Sequence, residues 1–154
     1  MRQTTLFVGV LAVLLLGHGQ RSGLEAAPAR VLYLTQSAAF PHPVLPHSEA
    51  VLTRLAAESD QFDLTVLHDA SVLTAATLRQ YDAVVFFTTG ELPMNTGQRA
   101  ALLSYVRAGG GFVGVHSAAD TFYDWPGYLA LIGGYFDGHP WRQEVTVRVE
   151  DGGH

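Results

Sequence analysis

The stretch Tyr81-Asp82-Ala83-Val84-Val85-Phe86-Phe87-Thr88 decides the fold class. It is a short run rich in β-branched and aromatic residues, apolar at consecutive positions, and closed by Thr89-Gly90-Glu91. Consecutive rather than alternating apolar residues read as a strand buried on both faces, the habit of a parallel sheet. Toward the N-terminus, Thr74 to Arg79 reads as a short helical turn and Phe62-Asp63-Leu64-Thr65-Val66-Leu67 as a second strand. Before it, Ser48 can cap a helix whose apolar positions Val51, Leu52, Leu55 and Ala56 recur at helical spacing. Val31-Leu32-Tyr33-Leu34-Thr35 is the first strand, stopped by the proline-broken loop Gln36 to Pro46.

Toward the C-terminus, Asn95 or Thr96 caps a helix that runs through Arg107 and is stopped by Gly109-Gly110-Gly111. That glycine run follows a helix and precedes a strand, so it is a helix stop rather than a phosphate loop. Phe112-Val113-Gly114-Val115-His116 is the fourth strand, followed by a loop from Ser117 to Asp124 and a short helix near Tyr128 to Ile132. Glu144 to Val149 reads as one more strand, after which the chain stops at His154 with no closing helix, as in a C-terminally truncated domain. Strands alternating with helices predict an α/β fold, a flavodoxin-like doubly wound parallel sheet with helices on both faces. Ligands of such sheets bind beyond the carboxyl ends of the strands, where the strand order reverses. The polar loops Gln36–His47, His68-Asp69, Thr88–Glu91 and His116–Asp124 all sort to that edge.

The composition excludes several chemistries. The chain of 154 residues has no cysteine, and all nine of its basic residues are arginine. Thiolate nucleophiles, disulfides and Cys-ligated zinc are therefore out, as are Schiff bases and a phosphate-loop lysine. At the N-terminus, Arg2, the uncharged run Leu6 to Leu16 and the small residues Ala27-Pro28-Ala29 have the layout of a cleaved secretory signal. Eleven apolar residues are too few to span a bilayer, which takes about 20. The expectation is a signal peptide over residues 1–29, cleavage after Ala29, and a secreted or periplasmic domain over residues 30–154 with no stable membrane insertion. Without residues 1–29 the chain keeps seven arginines against 13 carboxylates, a net charge of −6 that argues against a nucleic-acid partner. The oligomeric state is not legible.

His116 stands where a strand ends in a sharp turn between small residues, the layout that lifts a nucleophile above the sheet in the elbow motif. An imidazole there reads as a general base, a metal ligand or a hydrogen-bond donor to a sugar, and equally as a histidine satisfying backbone groups at a strand end. Ser117 reads as a cap or a ligand-contacting hydroxyl, because neighbouring residues at a strand end point apart and leave it no base. Asp120, Tyr123, Asp124 and Trp125 mix carboxylates with rings, the pairing that binds saccharides; Phe122 and Trp125 read equally well as core plugs. His42, His116 and His139, with Asp120 or Glu91, offer imidazole and carboxylate ligands of the kind that hold zinc, iron or manganese. No two of these histidines have the close helical spacing of a metal motif, so a divalent metal is only weakly indicated and the cofactor is left unassigned.

The blocks Gly109-Gly110-Gly111-Phe112-Val113-Gly114-Val115-His116-Ser117-Ala118-Ala119-Asp120, Phe122-Tyr123-Asp124-Trp125-Pro126-Gly127-Tyr128 and Gly133 to Trp141, with Phe40-Pro41-His42, resemble the ThuA-like family of trehalose-utilisation proteins from Val31 onward. The resemblance implies a fold similar to class I glutamine amidotransferases, with His116 standing where their cysteine would be. It implies a link to disaccharide or keto-sugar metabolism, no amidotransferase activity, and His42, His116, Asp120, Tyr123, Asp124, Trp125, Gly138 and His139 as motif positions. Three functions stay open: an enzyme acting on a plain or oxidised glycoside with His116 and Asp120 as catalytic residues, a non-catalytic carbohydrate-binding module, and a metal-dependent hydrolase or isomerase. In the first, His42, Glu91, Ser117, Tyr123, Asp124, Trp125 and His139 would bind the saccharide, the small-molecule partner of the domain.

Overall fold

A computed structural model describes residues 27–139 and 143–153. Four strands form one parallel sheet: β1 (Ala29–Leu34), β2 (Phe62–Leu67), β3 (Ala83–Phe86) and β4 (Gly111–Gly114), in the order β2-β1-β3-β4. This is the flavodoxin-like order, in which the chain steps one way from β1 to β2 and the other way through β3 to β4. Right-handed crossovers then put α1 (Leu45–Ser59) on one face and α2 (Ala75–Leu78) with α3 (Thr96–Arg107) on the other. The register is continuous, with Tyr33 opposite Val66 on one side and Val85 on the other, and Val85 opposite Val113.

The core is lopsided. Leu32, Leu34, Val84 and Phe86 point into a cluster closed by Leu78 of α2, Leu102 of α3 and Tyr128 of α4 (Pro126–Ile132), all 0–1% exposed. On the opposite face α1 buries no residue fully, and Leu55, expected on its inner side, is 43% exposed. Helix α1 also starts earlier than its polar residues suggested. It begins at Leu45 with Pro46 in its first turn and no side-chain cap, while Ser48 lies within it, its hydroxyl donating to the Leu45 carbonyl and meeting the Tyr33 hydroxyl at 2.9 Å. Helix α3 starts where expected: Asn95 and Gln98 form a reciprocal capping box.

Two boundaries need correction. The fourth strand ends at Gly114, although the Val115 N–H still donates to the Phe86 carbonyl at 2.8 Å, and His116 to Asp120 form a 3-10 turn. The expected strand from Glu144 to Val149 does not form; Val145, Val147 and Val149 are 75%, 84% and 75% exposed. Alternation gives a segment two faces, but a strand also needs a neighbour to satisfy its N–H and C=O groups, and no described strand pairs with this one. The signal segment lies outside the described residues apart from Ala27 to Ala29, the last of which opens β1 and donates to the Gln61 carbonyl at 3.0 Å. Among the described residues no helix is long and apolar enough to cross a membrane.

Candidate functional site

The strand order reverses between β1 and β3, and the segment after β1 lies across that point instead of leaving the sheet. Ser37 bridges Thr89, the Ala38 N–H donates to the Thr89 carbonyl at 2.8 Å, and the Thr89 hydroxyl donates to the Phe40 carbonyl at 3.0 Å. Gly90 makes the approach possible. Its φ is +74°, and a Cβ there would sit 2.8 Å from the Cβ of Ala39. Phe40 and His42 are thereby laid over the ends of β3 and β4, 74 positions from His116 in sequence but 5.0 Å from it between the rings of His42 and His116.

His116 itself sits at φ +48°, a left-handed conformation that a residue with a side chain rarely adopts. Such strain persists only where the surroundings over-determine it. Here the small residues of the turn do so. A Cβ on Gly114 would lie 2.5 Å from Cδ1 of Ile132 and 3.2 Å from Cβ of Ala118, so Gly114 and Ala118 let the turn fold tightly against α4. The pattern Gly114-x-His116-x-Ala118 is that of a nucleophile elbow, with imidazole at the raised position. The turn is pinned from below by the buried Tyr128 hydroxyl, which donates to the Ala118 carbonyl at 2.9 Å, and burial pushes that phenol well above its ordinary pKa. It is pinned from the side by the Gly90 N–H donating to the Asp120 carbonyl at 2.7 Å and by the buried hydroxyl pair of Thr88 and Thr121 at 2.9 Å.

Over the elbow lies a cavity of about 730 Å³, within the size range of small-molecule sites. His42, His116, Ser117, Asp120 and His139 line it, together with the rings of Phe40, Tyr135 and Phe136. The His116 ring packs edge-on against His42 and, at 5.7 Å, against Phe87. Neither of its nitrogens makes a hydrogen bond within the described residues. Two polar atoms there are buried and have no partner among the described residues: the Ser117 hydroxyl and Nδ1 of His42. Buried polar groups are nearly always paired, so both atoms point to a ligand or water.

Five of the sequence-derived site residues therefore come together, and four do not line the cavity. Glu91 is bound to Arg99 at 3.2 Å and accepts the Asp124 backbone N–H at 3.3 Å, so the Glu91 carboxylate ties loops together, while Asp124 contributes its backbone and its carboxylate does not line the cavity. Trp125 is 8% exposed and packs on Phe122, Tyr128 and the Arg99 guanidinium, the core-plug alternative. Phe122 is wholly buried beside it at φ +57°. Tyr123 is linked to the cavity through Asp120, donating its hydroxyl to Oδ1 of that residue at 2.8 Å. Loss of solvent around the hydroxyl, and then the bond to Asp120, push its phenol up to about 12. Phe40, Tyr135 and Phe136 fall within the sequence blocks quoted above, but sequence reasoning did not pick out this ring wall as part of the site. Among the described residues no group of three or more His, Asp or Glu side chains is placed to hold a metal ion; His42 and His116 converge, but Glu91 is committed elsewhere. Pro140 and Trp141, the end of the last motif block, lie outside the described residues.

A ThuA-like protein from Bacteroides uniformis superposes with a TM-score of 0.59 at 24% identity, over 75% of this chain and 48% of that one. A second, from Parabacteroides merdae, gives a TM-score of 0.57 at 23% identity, over 73% and 41%. At these identities the likeness establishes the fold, and the chain spans less than half the length of either structure. A search of curated proteins gives no match. Residues 30–154 match the ThuA family, described as trehalose utilisation, and the chain belongs to that family.

Proposed function

We propose that this chain is an exported protein of carbohydrate metabolism whose cavity takes a disaccharide or keto-sugar and uses His116 as acid or base. One observation carries the proposal: a strained imidazole at the elbow faces a cavity where aromatic rings alternate with two buried, unpartnered polar atoms, Ser117 Oγ and His42 Nδ1. Strain retained at a ligand-facing position favours a functional role over a structural one. Rings of Phe40, Tyr135 and Phe136 suit the C–H faces of a sugar, and the unpartnered atoms suit its hydroxyls. With a keto-sugar bound, neutral His116 would remove a proton from the carbon beside the carbonyl and return it to oxygen or to a leaving glycoside, which balances the step without another base. Asp120, on the same turn, has one carboxylate oxygen left for a sugar hydroxyl, since among the described residues hydrogen bonds reach only its Oδ1.

Two further parts of the proposal rest on the sequence. Export is supported by the Leu6–Leu16 run and the small residues before Arg30, and the family match starts at residue 30. Thiolate-based amidotransfer is not part of the proposal, because the chain has no cysteine. A non-catalytic binding module is the second reading, favoured by the lack, among the described residues, of any carboxylate bonded to a His116 nitrogen. Calorimetric titration with trehalose and with its 3-keto derivative, followed by product analysis, separates the two. Binding with turnover lost in His116→Ala supports the enzyme, binding without product supports the module, and no binding of either sugar removes both.

A further inference from the structure

The segment Tyr135–His139 lines one side of the cavity and supplies the rings of Tyr135 and Phe136. It is fastened to the elbow by the Phe136 N–H donating to the Ala119 carbonyl at 2.9 Å, and by the Tyr135 hydroxyl, which lies 2.6 Å from the Phe122 carbonyl. A third fastening is Tyr123, whose hydroxyl oxygen lies 2.7 Å from the Phe136 carbonyl and 2.8 Å from Oδ1 of Asp120. This third contact has a proton deficit. A phenol has one proton, while a carbonyl and an ionised carboxylate are both acceptors. The charged acceptor wins the stronger bond, so with Asp120 ionised the Phe136 carbonyl faces mainly a lone pair. If Asp120 carries a proton, all three groups are satisfied in series: Asp120 donates to Tyr123, and Tyr123 donates to Phe136.

We propose that Tyr123 is a positioning residue that couples the proton on Asp120 to the fastening of the Tyr135–His139 strap beside the cavity. When Asp120 gives up its proton, the tyrosine turns to the carboxylate and the strap loses a hydrogen bond; when Asp120 regains it, the strap is held. Tyr123 keeps its own proton throughout the range in which a carboxyl group titrates, since its phenol is displaced upward. The charged and titratable groups around the pair are Asp137 and Tyr135 on the strap and, across the cavity, His116, His42 and His139. Gly133, at φ +85°, precedes the strap and Gly138, at φ +108°, lies within it, both with open space where a Cβ would be. The consequence for ligand entry and release rests on the saccharide reading above, but the fastening does not.

Amide hydrogen exchange of the Phe136 N–H in the unliganded protein tests the coupling without any sugar, so it can fail independently of that reading. Asp120→Asn supplies a carboxamide N–H toward Tyr123, as a protonated acid would, and is expected to raise protection of this amide by about fivefold at neutral pH, the worth of one ordinary hydrogen bond. Tyr123→Phe in the otherwise unchanged chain removes a hydroxyl already turned to the carboxylate and is expected to leave protection within about twofold, whereas in the Asp120→Asn background it removes the bond to the strap and is expected to cancel the fivefold gain. The proposal is overturned if Asp120→Asn lowers protection or leaves it unchanged, or if its gain survives Tyr123→Phe.

Discussion

Replacing His116 separately by glycine and by alanine separates the cost of its backbone from the value of its ring. Both substitutions delete the same contacts with His42 and Phe87, so comparing the two cancels them. What differs is the backbone at φ +48°. A left-handed conformation costs a residue with a Cβ about 1–2 kcal/mol, and glycine escapes that cost. Glycine in turn loses about 0.5–1 kcal/mol more chain entropy on folding than alanine does. The difference leaves His116→Gly more stable than His116→Ala by roughly 0.7 kcal/mol. In a domain of this size that is a rise in Tm of about 2 °C. Urea unfolding followed by far-UV circular dichroism resolves a shift of this size as a change in midpoint at constant slope. An alanine variant equal to or more stable than the glycine variant would refute the claim that the elbow is held under strain.

Gly114→Ala puts a methyl 2.5 Å from Ile132 Cδ1, the end of a side chain that can turn aside, and 3.2 Å from Ala118 Cβ, which cannot; the expected cost is the low end of overpacking, about 1 kcal/mol, measurable in the same unfolding assay. Ser117→Ala removes a buried hydroxyl without a partner; it is expected to leave stability unchanged or raise it by up to about 1 kcal/mol while weakening sugar binding in calorimetry. At the opposite end of the sheet, hydrogen bonds from the Arg30 side chain and its N–H hold the Asp82 carboxyl below its usual pKa. A depressed folded-state pKa gives stability that is present above the unfolded value, near 4, and is lost as pH falls through the folded one. Asp82→Asn should therefore flatten the acid side of the stability profile below about pH 4 and leave its dependence near neutrality unchanged.

Much of the fold was legible because its signals are local. The run from Ala83 to Phe87 and the helix start at Asn95 each carry their instruction within a few residues, and the elbow was visible because a sharp turn after a strand needs small neighbours. Residues whose role depends on distant packing were not legible. The chemistry of Trp125 suits a sugar platform as well as a core; only the approach of Tyr128 and Arg99 decides for the core. Glu91 looks like a ligand-binding acid until Arg99 and the Asp124 backbone N–H are seen to occupy it. The alternation from Glu144 to Val149 describes a face without specifying a neighbour, and the ring wall at Phe136 depends on a chain return that no local pattern encodes.

The central claim, that the cavity over His116 is a saccharide site, is most directly tested by titrating trehalose and its 3-keto derivative into the wild-type protein and into Phe136→Ala. The rings and the unpartnered polar atoms predict saturable binding by the wild type, weakened about tenfold when a ring that stacks on the sugar is removed, as for a lost aromatic contact of about 1–1.5 kcal/mol. Wild-type binding that is unaltered by Phe136→Ala, or no binding of either sugar, would contradict it.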